Sequence, residues 1–415
     1  MGHLRELSNL ELYMSHYGTI VTTAHLSGPI SEPQLQTAIE LQASRHPLLN
    51  ATIQKENGHY FFVAHDAPLP IELISNATDD TFDNIRDRCI NAELACNKQL
   101  ANVVIVTDGQ RTDLHVCISH IIGDALSSFV FIESCLNCYV DLGASTEPTT
   151  TQLPLPDALS DIADQQLGLL SPYNLRTYLA QFNKIQILPS TQKNTQQSTK
   201  TCTFTLTKQE TATLATLARQ HNTSVHGILG AAELLTLQQL IPDHPTENYS
   251  LWSAIDLRGL LPKPLLTESI MGGAMGHAFF YTLKNRDFWQ LAKHITHDLK
   301  QHIASQDVFR ALHNFDFAKP QRLIASNDTP NEHLLSIALS NAGRLQIKTQ
   351  FDTLTLHKLT FMPTRFDDYF VTTIATLNGE MTAMITYKHP NYPTEKMTSF
   401  CDILHNKLQA LSNPN

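Results

Sequence analysis

The chain contains 415 residues, of which 42% are hydrophobic and 16% charged, a composition typical of globular proteins with large buried cores. Its length predicts roughly two to three domains. The formal net charge is −10 and no block of like charges occurs, so the composition does not favour a nucleic-acid partner.

The cysteines and histidines indicate neither a disulfide framework nor a metal site. The seven cysteines are odd in number and irregularly spaced, and the 20 histidines are scattered. Cys135-x-x-Cys138 falls in a predicted helix. It could be a redox pair, but two small apolar residues on a buried helix explain it better.

The start of the chain does not have the pattern of a signal peptide. It carries Glu6 and Glu11 and lacks a continuous apolar core. No apolar run in the sequence approaches the length of a membrane span. We therefore expect a soluble, cytoplasmic protein.

Strands and helices alternate in the first part of the chain. Asn57-Gly58 and Asp108-Gly109 each separate two apolar runs and favour tight turns, which predicts two β-hairpins. The predicted strands are 18–27, 50–55, 59–65, 102–107 and 113–119. The predicted helices are 31–46, with Ser31 as its cap, and 79–99.

The last of these strands leads into a turn and a helix, and His120 and Asp124 flank the turn. Within 113–119, Leu, Val and Ile alternate with His, Cys and Ser, the period-two pattern of a strand. Gly123 permits a tight bend, and apolar residues recur at helical spacing after Asp124. His120 therefore leaves the end of a strand, where a side chain can face a cleft.

The His-x-x-x-Asp spacing also has a purely structural interpretation. His120 could be a core histidine and Asp124 a helix N-cap, a position that favours aspartate. His294 and Asp298 repeat the spacing inside a predicted amphipathic helix, where such residues are merely neighbours on one surface. The spacing alone leaves both interpretations open.

Two polar runs, 143–157 and 189–200, separate two halves of similar content. We place the boundary between them, which gives an N-terminal lobe of residues 1–170 with the His-x-x-x-Asp motif and a C-terminal lobe of residues 171–415. The second half contains a third hairpin at Asn378-Gly379 and helices capped by Thr207, Ser224 and Thr394. Its predicted strands are 202–206, 249–255, 278–283, 334–339, 370–377 and 381–388. Its predicted helices are 207–220, 224–240, 287–305 and 394–411.

Four stretches together resemble the condensation-domain superfamily of acyltransferases, which includes chloramphenicol acetyltransferase, the condensation domains of peptide synthetases, alcohol acetyltransferases and polyketide-associated acyltransferases. They are Arg45-His-Pro-Leu-Leu-Asn-Ala-Thr-Ile53, Ser119-His-Ile-Ile-Gly-Asp-Ala125, Asp256-Leu-Arg258, and Leu339-Ser-Asn-Ala-Gly343 with the final hairpin. They occur in the family's order across most of the chain. The second matches the family's His-His-x-x-x-Asp-Gly signature at its second His and its Asp, with Ser119 and Ala125 replacing the first His and the Gly.

The resemblance implies a mixed α/β fold of two chloramphenicol-acetyltransferase-like lobes, arranged as a V with the active-site tunnel at their junction. The acyl donor would be a thioester on coenzyme A or on a phosphopantetheine arm, entering from one face. The acceptor would be a small alcohol or amine, entering from the other. The resemblance implies a monomer without a tightly bound cofactor, with an acyl or peptidyl carrier protein as a candidate partner.

The resemblance also assigns roles to residues. Acyl transfer needs a base, and a histidine titrates near working pH, so His120 is assigned as the general base. By position in the family, Arg258 pairs with Asp124, and with Gly123 these two residues shape the turn. Ser340 and Asn341 are candidates for stabilising the oxyanion or lining the tunnel, as is Ser119 for the tunnel. An ordinary turn after a strand explains Ser340 and Asn341 at least as well.

We therefore expect an acyltransferase that acts on a hydroxyl acceptor in secondary-metabolite or lipid biosynthesis. No covalent acyl-enzyme is expected, because the sequence lacks a Gly-x-Ser-x-Gly motif, and phosphate-loop and dinucleotide fingerprints are absent as well. An amide-forming condensation protein with an amine acceptor and a carrier-bound donor is the first alternative. A non-catalytic relative that binds a pathway protein is the second, but the intact His120, Asp124 and Arg258 speak against it.

Overall fold

The computed structural model describes residues 2–148, 150–171, 197–241, 248–265, 268–313, 336–366 and 369–412. The chain forms two compact units. The first contains Met1–Gly168, Leu257–Ala274 and Gln346–Phe366, and the second contains Leu169–Asp256, Met275–Leu345 and Asp367–Asn415. The predicted division at residue 170 lies close to the end of Met1–Gly168. It did not include the two later segments that also belong to the first unit.

The first unit contains five helices among its described residues, namely α1 (Asn9–Met14), α2 (Glu32–Ser44), α3 (Asp79–Asn91), α4 (Ala125–Gly143) and α5 (Leu159–Leu167). Its strands are β1 (His3–Glu6), β2 (Thr19–Ser27), β3 (Ala51–Glu56), β4 (His59–Ala64), β5 (Ile71–Ile74), β6 (Ala101–Thr107), β7 (Arg111–Ser119), β12 (Gln350–Phe351) and β13 (Leu354–Pro363). The strand that precedes His120 is β7, and the helix that follows is α4.

Strand β7 lies inside a six-stranded sheet with the order β12-β13-β2-β7-β6-β5. It pairs antiparallel with β2 along its whole length, from Arg111 opposite Ser27 to Ser119 opposite Thr19. Both of its faces are buried from Thr112 to Ser119, so the polar half of its alternating pattern does not face solvent. The end of β7 is thus held firmly on both sides. A separate antiparallel sheet has the order β1-β4-β3.

The remaining helices belong to the second unit and are α6 (Lys208–Gln220), α7 (Val225–Leu240), α8 (Phe288–Ala304), α9 (Asp307–Arg310) and α10 (Thr394–Ser412). Its strands are β8 (Ser198–Leu206), β9 (Asn248–Asp256), β10 (Ala274–Thr282), β11 (Ile337–Arg344), β14 (Phe370–Leu377) and β15 (Glu380–His389). They form one sheet in the order β10-β9-β11-β14-β15-β8, in which β11 runs parallel to both of its neighbours. The prediction of a mixed α/β fold is confirmed.

The three predicted hairpin turns are present, and backbone geometry explains them. Asn57 and Gly58 have φ values of 50° and 91°, and Asn378 and Gly379 have 48° and 86°. Two successive positive φ values suit a two-residue hairpin turn, and Asn and Gly tolerate them best. Local chemistry therefore determined these elements.

Other elements differ from the prediction. The helix that starts at Asp79 ends at Asn91 rather than at residue 99. The sequence has no clear helix-stop signal at Asn91, so the prediction ran too far. Strands β1, β5, β12 and β13 and helices α1, α5 and α9 were not predicted, and most of them are short. Strands β1 and β13 pair with β4 and β2, which lie far away in the sequence, so no local pattern indicates these pairings. The first two residues of the predicted strand 334–339, and most of the polar run 189–200, lie outside the described residues.

Helix α4 corrects the expectation that no apolar run approaches a membrane span. Among the described residues, Ala125–Gly143 is the one helix long and apolar enough to cross a membrane, judged by length and composition only. Phe129, Ile132 and Leu136 of this helix are buried in the first unit, where α2 packs against it. An apolar core helix gives the same composition as a spanning one.

Candidate active site

The turn after β7 is fixed by backbone hydrogen bonds. The amide of His120 donates to the carbonyl oxygen of Gly18 at 2.9 Å, and the amide of Ile122 donates to that of Ser119 at 3.0 Å. Helix α4 then begins at Ala125. His120 consequently stands between a buried strand and a buried helix, in a backbone held at both ends.

The imidazole of His120 is held by one hydrogen bond and one ring contact. Its Nδ1 lies 2.9 Å from the carbonyl oxygen of Gly123, and its ring meets Tyr17 edge to face, with the centroids 5.9 Å apart. A carbonyl oxygen can only accept, so Nδ1 carries the hydrogen of this bond. In the neutral ring Nε2 is then left with its lone pair, which is the form a general base requires.

Burial lowers the pKa of His120, because a charged imidazolium is poorly solvated there. The Asp124 carboxylate and the Gly123 carbonyl act in the opposite direction, but the net change is downward. His120 is therefore neutral at pH 7, with the proton on Nδ1. Position, tautomer and charge together suit proton abstraction.

His120 lines a small cleft whose described walls all belong to the first unit. Apolar side chains form most of the wall, and two carboxylates, those of Glu11 and Asp157, also line it. The full lining is Leu10, Glu11, Met14, His120, Ile121, Asp157, Leu159, Met271, Gly272 and Ala274. Sequence reasoning missed all of these except His120, because α1, α5 and the segment 271–274 meet only in the folded unit.

Asp124 has two functions that the sequence presented as alternatives. Its Oδ1 accepts hydrogen bonds from the amide of Ser127 at 3.0 Å, which caps α4, and from Nη2 of Arg258 at 2.9 Å. Its Oδ2 accepts from the amide of Gly273 at 2.9 Å. Burial alone would raise the pKa of Asp124. The positive charge of Arg258 and these hydrogen bonds outweigh that effect, so the pKa lies below its usual value.

The Arg258 guanidinium completes a buried polar cluster. Its Nη2 also donates to Ser127 Oγ at 3.1 Å and to the carbonyl oxygen of Met271 at 2.9 Å. A Cβ on Gly273 would lie 2.4 Å from Cζ of Arg258, so only glycine allows the backbone to pass this close to the guanidinium. Ser127 and Gly273 were not predicted as site residues.

Gly123 and Ser119 have different surroundings from those expected. Gly123 does not have a positive φ; a Cβ there would instead lie 3.3 Å from the Ile118 side chain, and the residue's carbonyl orients His120. Ser119 is buried, with its hydroxyl 3.8 Å from the sulfur of Cys96, and it is not among the described residues that line the cleft.

Ser340 and Asn341 lie in the second unit, on β11, and both are half-buried. Asn341 Oδ1 accepts a hydrogen bond from the amide of Gly343 at 2.9 Å. The register between β11 and β14 shifts between Asn341 and Arg344, so the stretch is an irregular part of the strand and not the turn after a strand that the sequence suggested. The role in oxyanion stabilisation stays a prediction.

The other motifs have ordinary surroundings. His294 Nε2 and Asp298 Oδ2 are 3.4 Å apart on the partly exposed face of α8. Cys135 and Cys138 are buried in α4, and burial raises the pKa of both thiols. Within the part of the chain that the structure describes, no three or more His, Cys, Asp or Glu residues are grouped to hold a metal ion.

Two sequence profiles match the chain. The profile of the condensation domain matches residues 7–245, more than half of the chain. The profile described as "Phthiocerol/phthiodiolone dimycocerosyl transferase C-terminus" matches residues 195–388. The two matches overlap and between them cover most of the sequence.

Individual proteins agree with the profiles. A phthiocerol/phthiodiolone dimycocerosyl transferase of Mycobacterium ulcerans is 24% identical over 278 residues, which are 62% of this chain and 63% of the relative, so the match spans less than two thirds of that protein. The structure of polyketide synthase associated protein 5 from Mycobacterium tuberculosis matches with a TM-score of 0.75 and 17% identity, over 98% of each chain. Trichothecene 15-O-acetyltransferase of Fusarium sporotrichioides matches with a TM-score of 0.74 and 11% identity, over 98% of this chain and 95% of that one. At these identities the two structures show a shared fold.

Proposed function

The chain belongs to the condensation-domain family, and we propose that it transfers an acyl group from a thioester donor to a hydroxyl acceptor, with His120 as the general base. One observation carries this proposal. His120 is a neutral histidine, lines a cleft, and is held through Nδ1 so that Nε2 is free to take a proton.

The proposed reaction balances without a covalent enzyme intermediate. Nε2 of His120 takes the hydroxyl proton as the acceptor oxygen attacks the thioester carbonyl. The tetrahedral intermediate then expels the thiolate, which receives the proton from the imidazolium. The products are an ester and a free thiol, and His120 returns to its starting tautomer.

Asp124 takes no direct part in this mechanism. Both of its oxygens are engaged by Arg258, Ser127 and Gly273, whereas Nδ1 of His120 bonds to a backbone carbonyl. Its contribution is to fix the turn from which His120 projects. The motif therefore serves as one base and one structural carboxylate, not as a charge-relay pair.

The similar proteins support the choice of reaction. The relatives include a dimycocerosyl transferase and, at the level of the fold, an O-acetyltransferase, and both names denote acyl transfer. The second name denotes an oxygen acceptor. We extend this to the present chain as a proposal, with coenzyme A or a carrier protein's phosphopantetheine arm holding the donor.

The test is acyl transfer by wild type and His120→Ala with a panel of acyl thioesters and alcohols, followed by mass spectrometry of the products. A general base contributes about 10²–10⁴ in rate, so the variant should lose activity by that factor while remaining folded. His294→Ala is the matched control, because it removes a histidine from the other His-x-x-x-Asp pair. A His120→Ala enzyme that keeps more than about a tenth of wild-type turnover would remove His120 from this role.

The order of substrate binding provides a second test. Direct attack requires donor and acceptor together, so initial rates should follow sequential kinetics. Ping-pong kinetics, with an acylated residue detected by intact mass after incubation with donor alone, would contradict the mechanism. Tight binding to a pathway protein without any acyl transfer would favour a non-catalytic role.

A further inference from the structure

The cleft beside His120 is lined by carboxylates that have no role in the proposed reaction. Six apolar side chains, Gly272, His120 and two carboxylates form its described lining, and no Lys or Arg is among them. The two carboxylates, Glu11 and Asp157, differ in their surroundings. Whether each carboxylate is paired with a positive charge determines the net charge of the cleft around a bound molecule.

Glu11 is neutralised locally. Arg5 donates to both of its oxygens through Nη1 and Nη2, and the amide and hydroxyl of Ser8 donate to Oε2. Such a two-point pair is geometrically specific and leaves little free charge. Glu11 serves to fix the start of α1.

The same arginine fixes the segment that carries Asp157. Nε of Arg5 donates to the carbonyl oxygen of Pro156 at 2.9 Å, so Arg5 ties α1 to the residue before Asp157. On the other side, Ala158 is the N-cap residue of α5 and is buried, as is Leu159. Asp157 is thus exposed at the cleft but anchored on both flanks.

Asp157 makes no ion pair or side-chain hydrogen bond with any residue in the described part of the chain. Its carboxylate is the one unneutralised charge in the described lining, in a chain whose net charge is already −10. A carboxylate beside apolar walls attracts a cation more strongly than it would in open water. It disfavours an anion for the same reason.

We propose that this cleft receives the acceptor and that Asp157 selects it by charge, binding an ammonium or similar cationic group on the molecule whose hydroxyl is presented to His120. The preferred acceptor class is an amino alcohol over a neutral alcohol of the same shape, and a neutral alcohol over a carboxylate-bearing one. This inference rests on the proposed acyl transfer.

The experiment compares acceptors of matched shape, such as an amino alcohol and its methyl analogue, for wild type and Asp157→Asn. For wild type the KM of the cationic acceptor should be lower by about two- to fivefold, the range of a solvent-exposed ion pair. Asp157→Asn should abolish this preference and leave kcat and the donor KM unchanged. The preference should also shrink in high salt, because the charge is exposed.

Asp161→Asn is the matched control. Asp161 is exposed on α5 four residues later and is not in the described lining of the cleft, so its loss should leave acceptor preference as in wild type. A merely structural role for Asp157 would instead change kcat or stability for both acceptors alike.

Binding is measured separately from turnover, by saturation-transfer NMR with the same pair of compounds. If no acceptor is acylated at all, the proposed reaction fails, and the NMR comparison still judges the charge selection. Equal binding of the cationic and neutral compounds to wild type, or an unchanged preference in Asp157→Asn, would overturn the inference.

Discussion

At the scale of single residues, one backbone carbonyl determines how His120 can act. Gly123 accepts from Nδ1, so the ring nitrogen that remains available is Nε2, and burial keeps the ring neutral. A histidine held by a carboxylate would instead have a raised pKa. Here the motif's carboxylate is engaged elsewhere, by Arg258.

The first prediction concerns the pH dependence of transfer. A base must be unprotonated, and the pKa of His120 lies below its ordinary value of 6.5, so activity should persist below pH 6.5 before it declines. On the acid side kcat/KM should fall about tenfold per pH unit. The measurement is kcat/KM for the acceptor from pH 4 to 8, with residual activity rechecked at pH 7. An inflection above pH 7 would point to a different base.

The second prediction concerns Gly273. A Cβ at this position meets Arg258 at 2.4 Å, so Gly273→Ala should displace the guanidinium and lower the free energy of unfolding by about 1–3 kcal/mol. Gly272→Ala is the control, because a Cβ there would have no atom of a described residue within 4 Å. Urea denaturation of both variants checks the difference. Equal stability of the two would mean that the close approach is unimportant.

At the scale of elements, the N-terminus of α4 is where strand, helix and a distant segment meet. Asp124 caps α4 and also binds Arg258 and Gly273 from the segment Leu257–Ala274. One carboxylate therefore fixes both the start of the helix and the position of that segment. Capping and ion pairing are coupled in the same side chain.

The third prediction separates these contributions. The side chains of Asp124 and Arg258 are 7% and 9% exposed, so removing either partner leaves a buried charge and should cost about 3–5 kcal/mol of unfolding free energy. A lost cap alone would cost about 0.5–2 kcal/mol. Asp124→Ala and Arg258→Ala should therefore be similarly damaging, and the double variant far less than additive in denaturant melts.

The exposed pair on α8 is the control for this cycle. His294 and Asp298 are 39% and 27% exposed, and their coupling should stay below about 1 kcal/mol. Small, additive losses for Asp124 and Arg258 would reduce Asp124 to a helix cap.

The fourth prediction concerns α7, which carries a buried acid. Burial raises the pKa of Glu233 from 4.5 to about 8, with the Thr372 hydroxyl opposing the shift, and neither carboxylate oxygen has a hydrogen bond of standard length to a described residue. The folded state thus keeps a proton that the unfolded state releases above pH 4.5. Stability should consequently fall as pH rises between about 4.5 and 8.

Glu233→Gln removes this dependence. Relative to wild type it should gain stability progressively through that window, by at most about 3–5 kcal/mol at its upper end. Thermal and urea melts at several pH values measure the change. Glu395→Gln, at an exposed position of α10, is the control and should show no such trend. A pH-independent difference for Glu233→Gln would show that the buried acid does not titrate.

At the scale of the whole molecule, the first unit is not one continuous stretch of chain. Leu257–Ala274 supplies Arg258 and part of the cleft, and Gln346–Phe366 supplies β12 and β13. The six-stranded sheet and the buried ion pair are therefore completed by residues far along the sequence. The site of the first unit needs both halves of the chain to form.

The fifth prediction follows for a fragment of residues 1–168. Without β13 it leaves an unpaired edge on β2, and without Arg258 it leaves Asp124 buried and unpaired. It should lack a cooperative denaturant transition by circular dichroism and should associate on size exclusion. A monomeric fragment with a sharp transition would mean that residues 1–168 fold without the segments Leu257–Ala274 and Gln346–Phe366.

The local part of the site was predictable from the sequence. The strand before His120, the turn, and the helix capped by Asp124 depend on alternation, glycine and capping within a few residues. The Asn-Gly hairpins were predictable for the same reason. Family membership was also indicated, because four stretches keep the family's order along the chain.

Tertiary structure alone decided the rest. Residues more than a hundred positions apart meet in the pairing of β2 with β13, in the contact of segment 271–274 with the cleft of His120, and in the hydrogen bond from Gly273 to Asp124. The pairing of Asp124 with Arg258, in contrast, was expected from the resemblance and is present. No local pattern encodes such distances, because they follow from how sheets and helices pack. The tautomer of His120 and the lack of an ion pair for Asp157 among the described residues depend on this packing. The presence of a histidine at the end of a strand depends only on the local sequence.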